Sequence, residues 1–376
     1  MYILLLGEYS GLHHTLAEGL RQLGHQVTVA SDGDGWKNYP RDIDLNRPTD
    51  SLWDAIKLLW KLLRVLPRLK GYDVVQIISP HFLRLKPHRC LPIYHYLRKR
   101  NGGVFMGAFG TDYYYTHACM YGNIYRYSDY KIGDHFKETP TNRSQLKDEL
   151  EGSMARATKV IAKDCDGIIA CLWEYYAAYQ KPYPQKIHFI PLPIDLRKIK
   201  PCVRKVPQQV NFFIGIQTRR SDVKGTDIML PILRKVAEKY PERCRITEVS
   251  NVPYAEYCRL LDAADVQLDQ LYSYTPSMNS LLAMAKGIVV VGGGEPENYE
   301  ILREEELRPI VNVLPDEDDI FRKLEELVLH PERIPTLSEQ SIAYVKKHHD
   351  AVEVARQYLL CWKKADEQLP PNTSQP

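Results

Sequence analysis

The stretch that decides the fold reads LYSYTPSMNSLLAMAKGIVVVGGGEPENYE and covers residues 271–300. A polar loop, interrupted by Pro276, leads into small and apolar residues at 278–286 that predict a short helix, and Gly287 can cap its C-terminus. The β-branched run at 288–291 follows at once. Such a run predicts a strand that is buried on both faces, as in a parallel sheet.

Three consecutive glycines end this predicted strand and allow a tight backbone turn. Open α/β sheets bind their ligands at this edge, outside the carboxyl ends of the strands. The helix start and the glycine turn would both offer unpaired amide N–H groups to one crevice, which predicts a site for an anion, most simply a diphosphate. The residues expected to bind this anion are Ser277, Met278, Asn279, Ser280, Gly293 and Gly294.

The strings LLAMAKG, IVVV and GGGEPE stand in an order that resembles the donor-nucleotide segment of glycosyltransferases with the GT-B fold. The closest resemblance is to the retaining glycosyltransferase family 4 (group 1) enzymes. That family carries two glutamates spaced by seven residues, and Tyr274 and Leu282 stand in their places. Recognition of the ribose and the sugar must therefore differ. Glu295 and Glu297 either replace these carboxylates in donor binding or are surface charges.

The composition is that of a soluble globular enzyme: of 376 residues, 44% are hydrophobic and 26% are charged, with a net charge of +3. This length predicts two domains, and so small a charge gives no argument for nucleic-acid binding. The eight cysteines form no CxxC pair, so we expect neither zinc nor disulfides, and a cytoplasmic location. No apolar run reaches the ~20 residues of a membrane span, and no signal peptide is expected.

Residues 2–30 predict a strand, a helix and a second strand, the opening of a Rossmann-like domain. The turn at residues 7–11 is not GxGxxG, so a dinucleotide site is weakly indicated. By the resemblance, Gly11 lies in a glycine loop that faces the donor phosphate and the acceptor. His13 and His14 follow at the predicted helix start, where they either contact the acceptor or phosphate or are ordinary surface histidines.

Residues 49–70 have apolar side chains at helical spacing, with four basic residues on the opposing side. The favoured interpretation is a helix that packs on the sheet, because the next strand needs a cover. The alternative is a basic amphipathic surface that docks on anionic lipid, as in several similar glycosyltransferases. The four basic residues are Lys57, Lys61, Arg64 and Arg68.

A predicted strand at 103–108 ends in Phe109-Gly-Thr-Asp112, which resembles the HGxD turn of the family. Asp112 is thereby a candidate catalytic carboxylate, although an Asp in this context is also a common helix cap. The stretch 113–142 is rich in tyrosine and too long for an ordinary connection. We expect it to shape the acceptor pocket, with Tyr113 in contact with the acceptor; the alternative is a purely structural excursion.

A strand at 210–216 opens the second half, and QTRRSDVKG follows it at 217–225. This loop resembles the family's G-R-x-x-x-x-K-G element, which implies that Arg219 or Arg220 and Lys224 grip the donor diphosphate. Fixed cations stabilise a leaving diphosphate as it gains charge, so the resemblance implies catalytic roles for Arg219 and Lys224 and donor binding by Arg220. The alternative is a basic loop exposed to water.

The fold class predicted from these features is α/β, with two Rossmann-like domains that face each other across a GT-B cleft. Residues 145–162 are expected to form one long helix. The C-terminal helix is expected to cross back onto the first domain. The predicted divisions are an N-terminal acceptor domain (1–197), a linker (198–209), a donor domain (210–349), the crossover helix (350–366) and a disordered tail (367–376).

The resemblance implies a glycosyltransferase that moves a hexose from a UDP- or GDP-linked donor to a hydroxyl of a glycan or lipid-linked acceptor. It further implies a retaining, metal-independent reaction with no cofactor. Two alternatives are a catalytically silent relative that binds nucleotide or glycan, and an NAD-dependent oxidoreductase, which the missing GxGxxG disfavours. No nucleic-acid partner is expected. Contact with the inner membrane surface is an alternative for the helix over 49–70.

Overall fold

The computed structural model describes residues 1–368, without the side chains of Trp36, Arg219 and residues 365–368. It contains two compact units. The first comprises Met1–His117, Leu146–Pro193 and the C-terminal segment from Ala351, and the second comprises Ala118–Gln145 and Ile194–Asp350. Residues 369–376, most of the predicted tail, lie outside the described residues, and the last helix runs to Gln368.

The strands are short, and most belong to two parallel sheets. In chain order they are β1 (Tyr2–Leu6), β2 (Gln26–Ser31), β3 (Ile43–Asp44), β4 (Val74–Ile77), β5 (Gly103–Ala108), β6 (Lys131–Ile132), β7 (His135–Phe136), β8 (Gly167–Ala170), β9 (Ile187–Phe189), β10 (Val210–Ile216), β11 (Cys244–Ser250), β12 (Val266–Leu268), β13 (Val289–Gly292) and β14 (Val311–Asn312).

The α-helices alternate with most of these strands, as βαβ connections between parallel strands require. In chain order they are α1 (Leu12–Gln22), α2 (Leu52–Val65), α3 (Pro87–Arg100), α4 (Tyr113–Tyr121), α5 (Pro140–Leu150), α6 (Ser153–Asp164), α7 (Trp173–Gln180), α8 (Ser221–Lys224), α9 (Thr226–Lys239), α10 (Tyr254–Asp262), α11 (Met278–Ala285), α12 (Pro296–Leu302), α13 (Glu317–Leu329), α14 (Arg333–His348) and α15 (Ala351–Gln368).

The first unit is built on a parallel sheet with strand order β3-β2-β1-β4-β5-β8-β9. The strand order reverses between β1 and β4, so the loops that follow these strands border the ligand-binding edge. Helix α15 packs against α1. The contact is close enough that a Cβ on Gly19 would lie 2.2 Å from the carbonyl oxygen of Ala351, which only glycine tolerates.

The second unit has a parallel sheet in the order β11-β10-β12-β13-β14, with its reversal between β10 and β12. The β-branched run predicted as a buried strand is β13, whose residues are all buried. The predicted α/β class with parallel sheets in two domains is thus confirmed. Strands β6 and β7 form an antiparallel hairpin in the segment Ala118–Gln145.

Two helix predictions were wrong in their bounds. The single helix expected over 145–162 is two helices, α5 and α6, because Gly152 interrupts it and the Asp148 carboxylate accepts a hydrogen bond from the Ser153 amide (2.7 Å). The helix expected over 49–70 ends at Val65 and continues as one 3₁₀ turn that contains Pro67. Proline lacks the N–H that a continuing helix needs.

Candidate functional site

The basic loop after β10 is fixed to the loop after β12. Helix α8 ends at Lys224, whose carbonyl oxygen accepts the Leu271 amide (2.9 Å). Gly225 follows with φ 73°, and a Cβ there would lie 2.4 Å from Leu271 Cβ, so the turn requires glycine. Lys224 is half-buried and Arg220 is exposed, while the predicted Arg219 side chain lies outside the described residues.

Helix α11 begins at Met278, after the loop 269–277 that follows β12. Ser277 caps it, and its Oγ accepts the amides of Asn279 (3.2 Å) and Ser280 (3.5 Å). The same hydroxyl donates to the Asp269 carboxylate (2.5 Å), and so does the Ser280 hydroxyl. Met278 is buried, and Asn279 donates through its side chain to the Tyr257 hydroxyl (2.6 Å). A neutral hydroxyl thus caps a helix start whose dipole favours anions.

The glycine turn was predicted to offer unpaired amide N–H groups to an anion, but two of its amides have partners within the protein. The Gly294 amide donates to the Asn312 side chain (3.0 Å) and the Glu295 amide donates to the Tyr274 carbonyl (3.0 Å). A Cβ on Gly293 would lie 2.3 Å from the Ser273 carbonyl oxygen. These two amides therefore bind the turn to β14 and to the loop before α11, both in its own unit. The α11 start and the basic loop remain as candidates for anion binding.

The Glu295 carboxylate is also committed within the protein. It accepts hydrogen bonds from the Tyr127 hydroxyl (2.5 Å), the Asn312 side chain (2.8 Å) and the Arg126 guanidinium (2.9 Å). Tyr274, in the place of a family glutamate, is only 1% exposed. The Glu295 carboxylate is therefore occupied by partners within the protein, and Tyr274 is a buried phenol without a carboxylate.

The N-terminus of α1 in the first unit is closed by the chain itself. Glu8, the residue after the β1 turn glycine, accepts the amides of His13 (3.2 Å) and His14 (2.8 Å). The neighbouring amides of Leu12 and Thr15 donate to the carbonyls of Tyr9 and Gly11. Burial raises the pKa of Glu8 to about 8, against the opposing effect of the two amide bonds.

Gly11, His13 and His14, which were predicted to contact ligands, have different environments in the structure. Gly11 has φ 84° and the Tyr39 ring packs so closely that a Cβ would lie 2.8 Å from it. His13 is fully buried, with Nδ1 2.8 Å from the Gly7 carbonyl, and burial lowers its pKa to about 3. His14 is partly exposed and stacks on Tyr39 with ring centroids 5.9 Å apart. His14 is therefore the histidine of this pair that a ligand can reach.

Asp112 has the geometry of a helix cap. Its Oδ1 accepts the amides of Tyr114 (2.9 Å) and Tyr115 (3.1 Å) at the start of α4, and its Oδ2 accepts the Tyr179 hydroxyl (2.5 Å). Burial raises the pKa of Asp112 to about 6. Tyr113 is partly exposed, with the Lys159 ammonium 3.7 Å from its ring centroid.

Several of these residues were not found by sequence reasoning. Asp269 follows a buried strand directly, which is the signal by which it could have been found. Glu8 stands in the first turn after β1, but nothing in the sequence shows that it accepts the amides of α1. The contacts of Arg126 with Glu295 join residues 169 positions apart and have no local signal.

Among residues 1–368, no group of three or more His, Cys, Asp or Glu side chains could hold a metal ion. All eight cysteines are free. No helix within the same residues is long and apolar enough to cross a membrane.

Residues 216–360 match the family described as glycosyl transferase-like. They include both the basic loop and the α11 start. Sucrose-phosphate synthase from Thermosynechococcus elongatus superposes with a TM-score of 0.62 at 12% identity, covering 98% of this chain and 100% of that one. The chain has the GT-B fold. The predicted resemblance to GT-B glycosyltransferases is thereby confirmed, while the assignment to family 4 stays a prediction.

Two further similar structures are associated with UDP-sugars, one as a complex and one by the name of the enzyme. Anabaena HepE in complex with UDP-glucose has a TM-score of 0.60 at 13% identity, covering 98% of this chain and 100% of that one. A putative UDP-N-acetylglucosamine 2-epimerase from Listeria monocytogenes has a TM-score of 0.56 at 10% identity, covering 98% and 97%. No curated protein matches the sequence. Because these neighbours differ in activity, the fold alone does not define the reaction.

Proposed function

We propose that this protein is a glycosyltransferase that transfers a hexose from a nucleotide-diphosphate sugar. The observation that carries the proposal is the pairing of a neutrally capped helix start, at Ser277, with the basic loop that ends at Lys224. Both lie at the carboxyl edge of the second sheet, next to its point of strand reversal. Both also lie within the segment that matches the glycosyl transferase-like family.

In this proposal the donor diphosphate lies against the α11 start and the basic loop. Bond cleavage leaves additional negative charge on the diphosphate, and the Lys224 and Arg220 cations stabilise it. The reaction needs no divalent metal in this scheme and retains the anomeric configuration. UDP and GDP donors are both compatible with these contacts, because the contacts are with phosphates.

The acceptor hydroxyl compound, a glycan or a lipid-linked glycan, binds the first unit. Gly11 and His14 follow β1 and Tyr113 follows β5, at the edge where ligands of such sheets bind. Asp112 acts as a positioning residue, since both of its oxygens already hold the α4 start and Tyr179.

A catalytically silent relative is the second candidate, and the burial of Tyr274 favours it. A screen of UDP- and GDP-hexoses with glycan acceptors, followed by NMR of the product, separates the two. The proposal predicts a product with retained configuration, formed equally well with EDTA. Nucleotide binding without turnover of any donor would support the silent relative. An inverted linkage, with turnover lost in Asp112→Asn at unchanged donor binding, would make Asp112 a general base and contradict the mechanism.

We further propose that α2 attaches the first unit to an anionic bilayer. One face of α2 is buried through Ala55, Leu58, Leu62 and Val65, as a sheet-covering helix requires. Its other face exposes Trp53 (75%), Trp60 (61%) and Leu63 (62%). Tryptophans at this spacing beside lysines are typical of helices that lie in the membrane interface.

Co-sedimentation with vesicles tests this attachment. The chain should bind vesicles that contain anionic lipid, and the double variant Trp53→Ser, Trp60→Ser should lose most of that binding. Leu360→Ser on α15, which removes an equally exposed apolar side chain, is the control and should bind as the unaltered chain does. Equal binding by the tryptophan variant would refute the role of α2.

A further inference from the structure

The tyrosine-rich segment Ala118–Gln145, called the insertion below, belongs to the second unit. It contacts the loops that follow three neighbouring strands, β10, β12 and β13. These contacts reach Asp222 in the basic loop, Tyr272 and Tyr274 in the loop before α11, and Glu295 and Glu297 after the glycine turn. The same loops carry the proposed nucleotide site.

Arg126 makes the main contacts with the loops that follow β12 and β13. Its guanidinium bonds to Glu295 (2.9 Å) and pairs with Glu297, and it lies 4.9 Å from the Tyr274 ring centroid. The Arg126 amide donates to the Tyr274 hydroxyl (2.6 Å), and the Tyr127 ring stacks on the Tyr274 ring with centroids 4.8 Å apart. One residue pair of the insertion therefore fixes both loops.

Lys137 makes a second set of contacts, with the loops that follow β10 and β12. Its ammonium lies 3.0 Å from the Tyr272 ring centroid and donates to the Asp222 carbonyl (3.3 Å). Thr141 adds a hydrogen bond to the Asp222 carboxylate (3.4 Å). The loop that precedes α11 is thus held at Tyr272 and at Tyr274 from the same segment of chain.

This network pairs a buried carboxylate with an exposed cation, since the Arg126 side chain is 52% exposed. Glu295 is 4% exposed, and Tyr127 is buried with its hydroxyl on that carboxylate. Opening it would remove the Arg126 cation from the buried Glu295 carboxylate, which also accepts hydrogen bonds from Tyr127 and Asn312. These contacts hold the insertion against the loops of the second unit. It keeps three ligand-binding loops in one arrangement before any ligand arrives.

We infer that Arg126 is a positioning residue for the donor site, through which the insertion preorganises the nucleotide-binding loops. The inference rests on the proposed function for the identity of the ligand. Preorganised loops lose little conformational freedom when the ligand binds, so loosening them weakens affinity without removing a ligand contact.

Calorimetry of UDP and GDP binding to the full chain tests this inference. Arg126→Met should weaken binding of the nucleotide that the unaltered chain prefers by about tenfold, and Arg126→Lys, which keeps the charge, should recover part of it. Arg143→Met is the matched control, because Arg143 lies in the insertion but forms an exposed ion pair with Glu138. The control should bind as the unaltered chain does.

Hydrogen exchange of the free variants supplies a readout that needs no ligand. The Gly294 and Glu295 amides should exchange at least about tenfold faster in Arg126→Met and unchanged in Arg143→Met. Unchanged exchange and affinity in Arg126→Met would overturn the inference, and tighter binding would show that the insertion blocks the site. Absence of any nucleotide binding by the unaltered chain would contradict the proposed function, and the exchange rates would still test the positioning role.

Discussion

Helices α1 and α11 begin next to the strand reversals of the two sheets, and the amides of their first turns have different hydrogen-bond partners. At α1 the Glu8 carboxyl accepts two amides, and backbone carbonyls accept the next ones, so the first turn has its partners within the chain. At α11 a serine hydroxyl accepts two amides over longer distances and itself donates to the Asp269 carboxylate, and cationic side chains stand in the neighbouring loop. A phosphate oxygen can replace a hydroxyl cap but cannot approach amides that a buried carboxyl already holds.

We propose that this difference gives the two units different affinities for anions. A parallel sheet places a helix start at each strand reversal, and the side chain at that start decides what binds there. We propose that Glu8, which accepts the amides of His13 and His14, leaves the edge of the first unit to the acceptor rather than to a diphosphate. In the same proposal, Ser277 and the basic loop bind the nucleotide diphosphate in the second unit.

The largest effect is expected from the basic loop. Lys224→Met should weaken UDP or GDP binding roughly 10- to 150-fold, the equivalent of about 1.5–3 kcal/mol for a charge-assisted contact. Lys235→Met, an exposed lysine on α9 of the same unit, is the control. Calorimetry that gives unchanged affinity in Lys224→Met, or binding abolished by a chelator, would remove the basis for the comparison.

Glu8 should produce a pH dependence of stability. Its pKa rises from 4.5 unfolded to about 8 in the fold, so its contribution to stability is complete below pH 4.5 and is lost as the pH rises towards 8. His13, with its pKa lowered from 6.5 to about 3, opposes this trend between pH 4.5 and 6.5. Between pH 6.5 and 8 the Glu8 loss is unopposed by His13 and amounts to about 2 kcal/mol.

Urea unfolding at several pH values measures this loss. Glu8→Gln cannot ionise, so its unfolding free energy should change little between pH 6.5 and 8 while that of the unaltered chain falls. If the unfolding free energies of the two proteins changed in parallel with pH, Glu8 would be ionised in the folded protein. A carboxylate, rather than a neutral carboxyl, would then accept the amides at the start of α1.

The smallest effect concerns the Ser277 cap. Ser277→Ala should destabilise the free protein by about 1 kcal/mol. Saturating UDP should restore most of this loss, because phosphate oxygens then accept the amides. Asp316→Ala removes the cap of α13, where the Asp316 side chain accepts the Asp319 amide, and serves as the control that UDP does not restore. Equal losses with and without UDP in Ser277→Ala would place the phosphate elsewhere.

Regular elements were predictable because their patterns are local. The β-branched run at β13 and the alternation of strands and helices identify the α/β class, and the Ser277 cap could be expected from the residues that follow it. Breaks such as Gly152 were missed, since glycine is tolerated in some helices and ends others.

The candidate site was less predictable because its contacts are distant in sequence. The Gly294 amide was expected to be free for an anion, but the Asn312 side chain accepts it. The tyrosine-rich stretch was expected to belong to the first domain, but from Ala118 onward it groups with the second unit; its role in an acceptor pocket stays a prediction. Its pairing of Arg126 with Glu295 depends on tertiary structure that no local pattern encodes.

Hydrogen exchange of the full chain with and without saturating UDP tests most directly whether the nucleotide binds the second unit and not the first. The account predicts slower exchange in the basic loop, 217–225, and at the α11 start, 278–280, with no change at the α1 start, 12–15. Protection at the α1 start, with the basic loop and the α11 start unchanged, would contradict it.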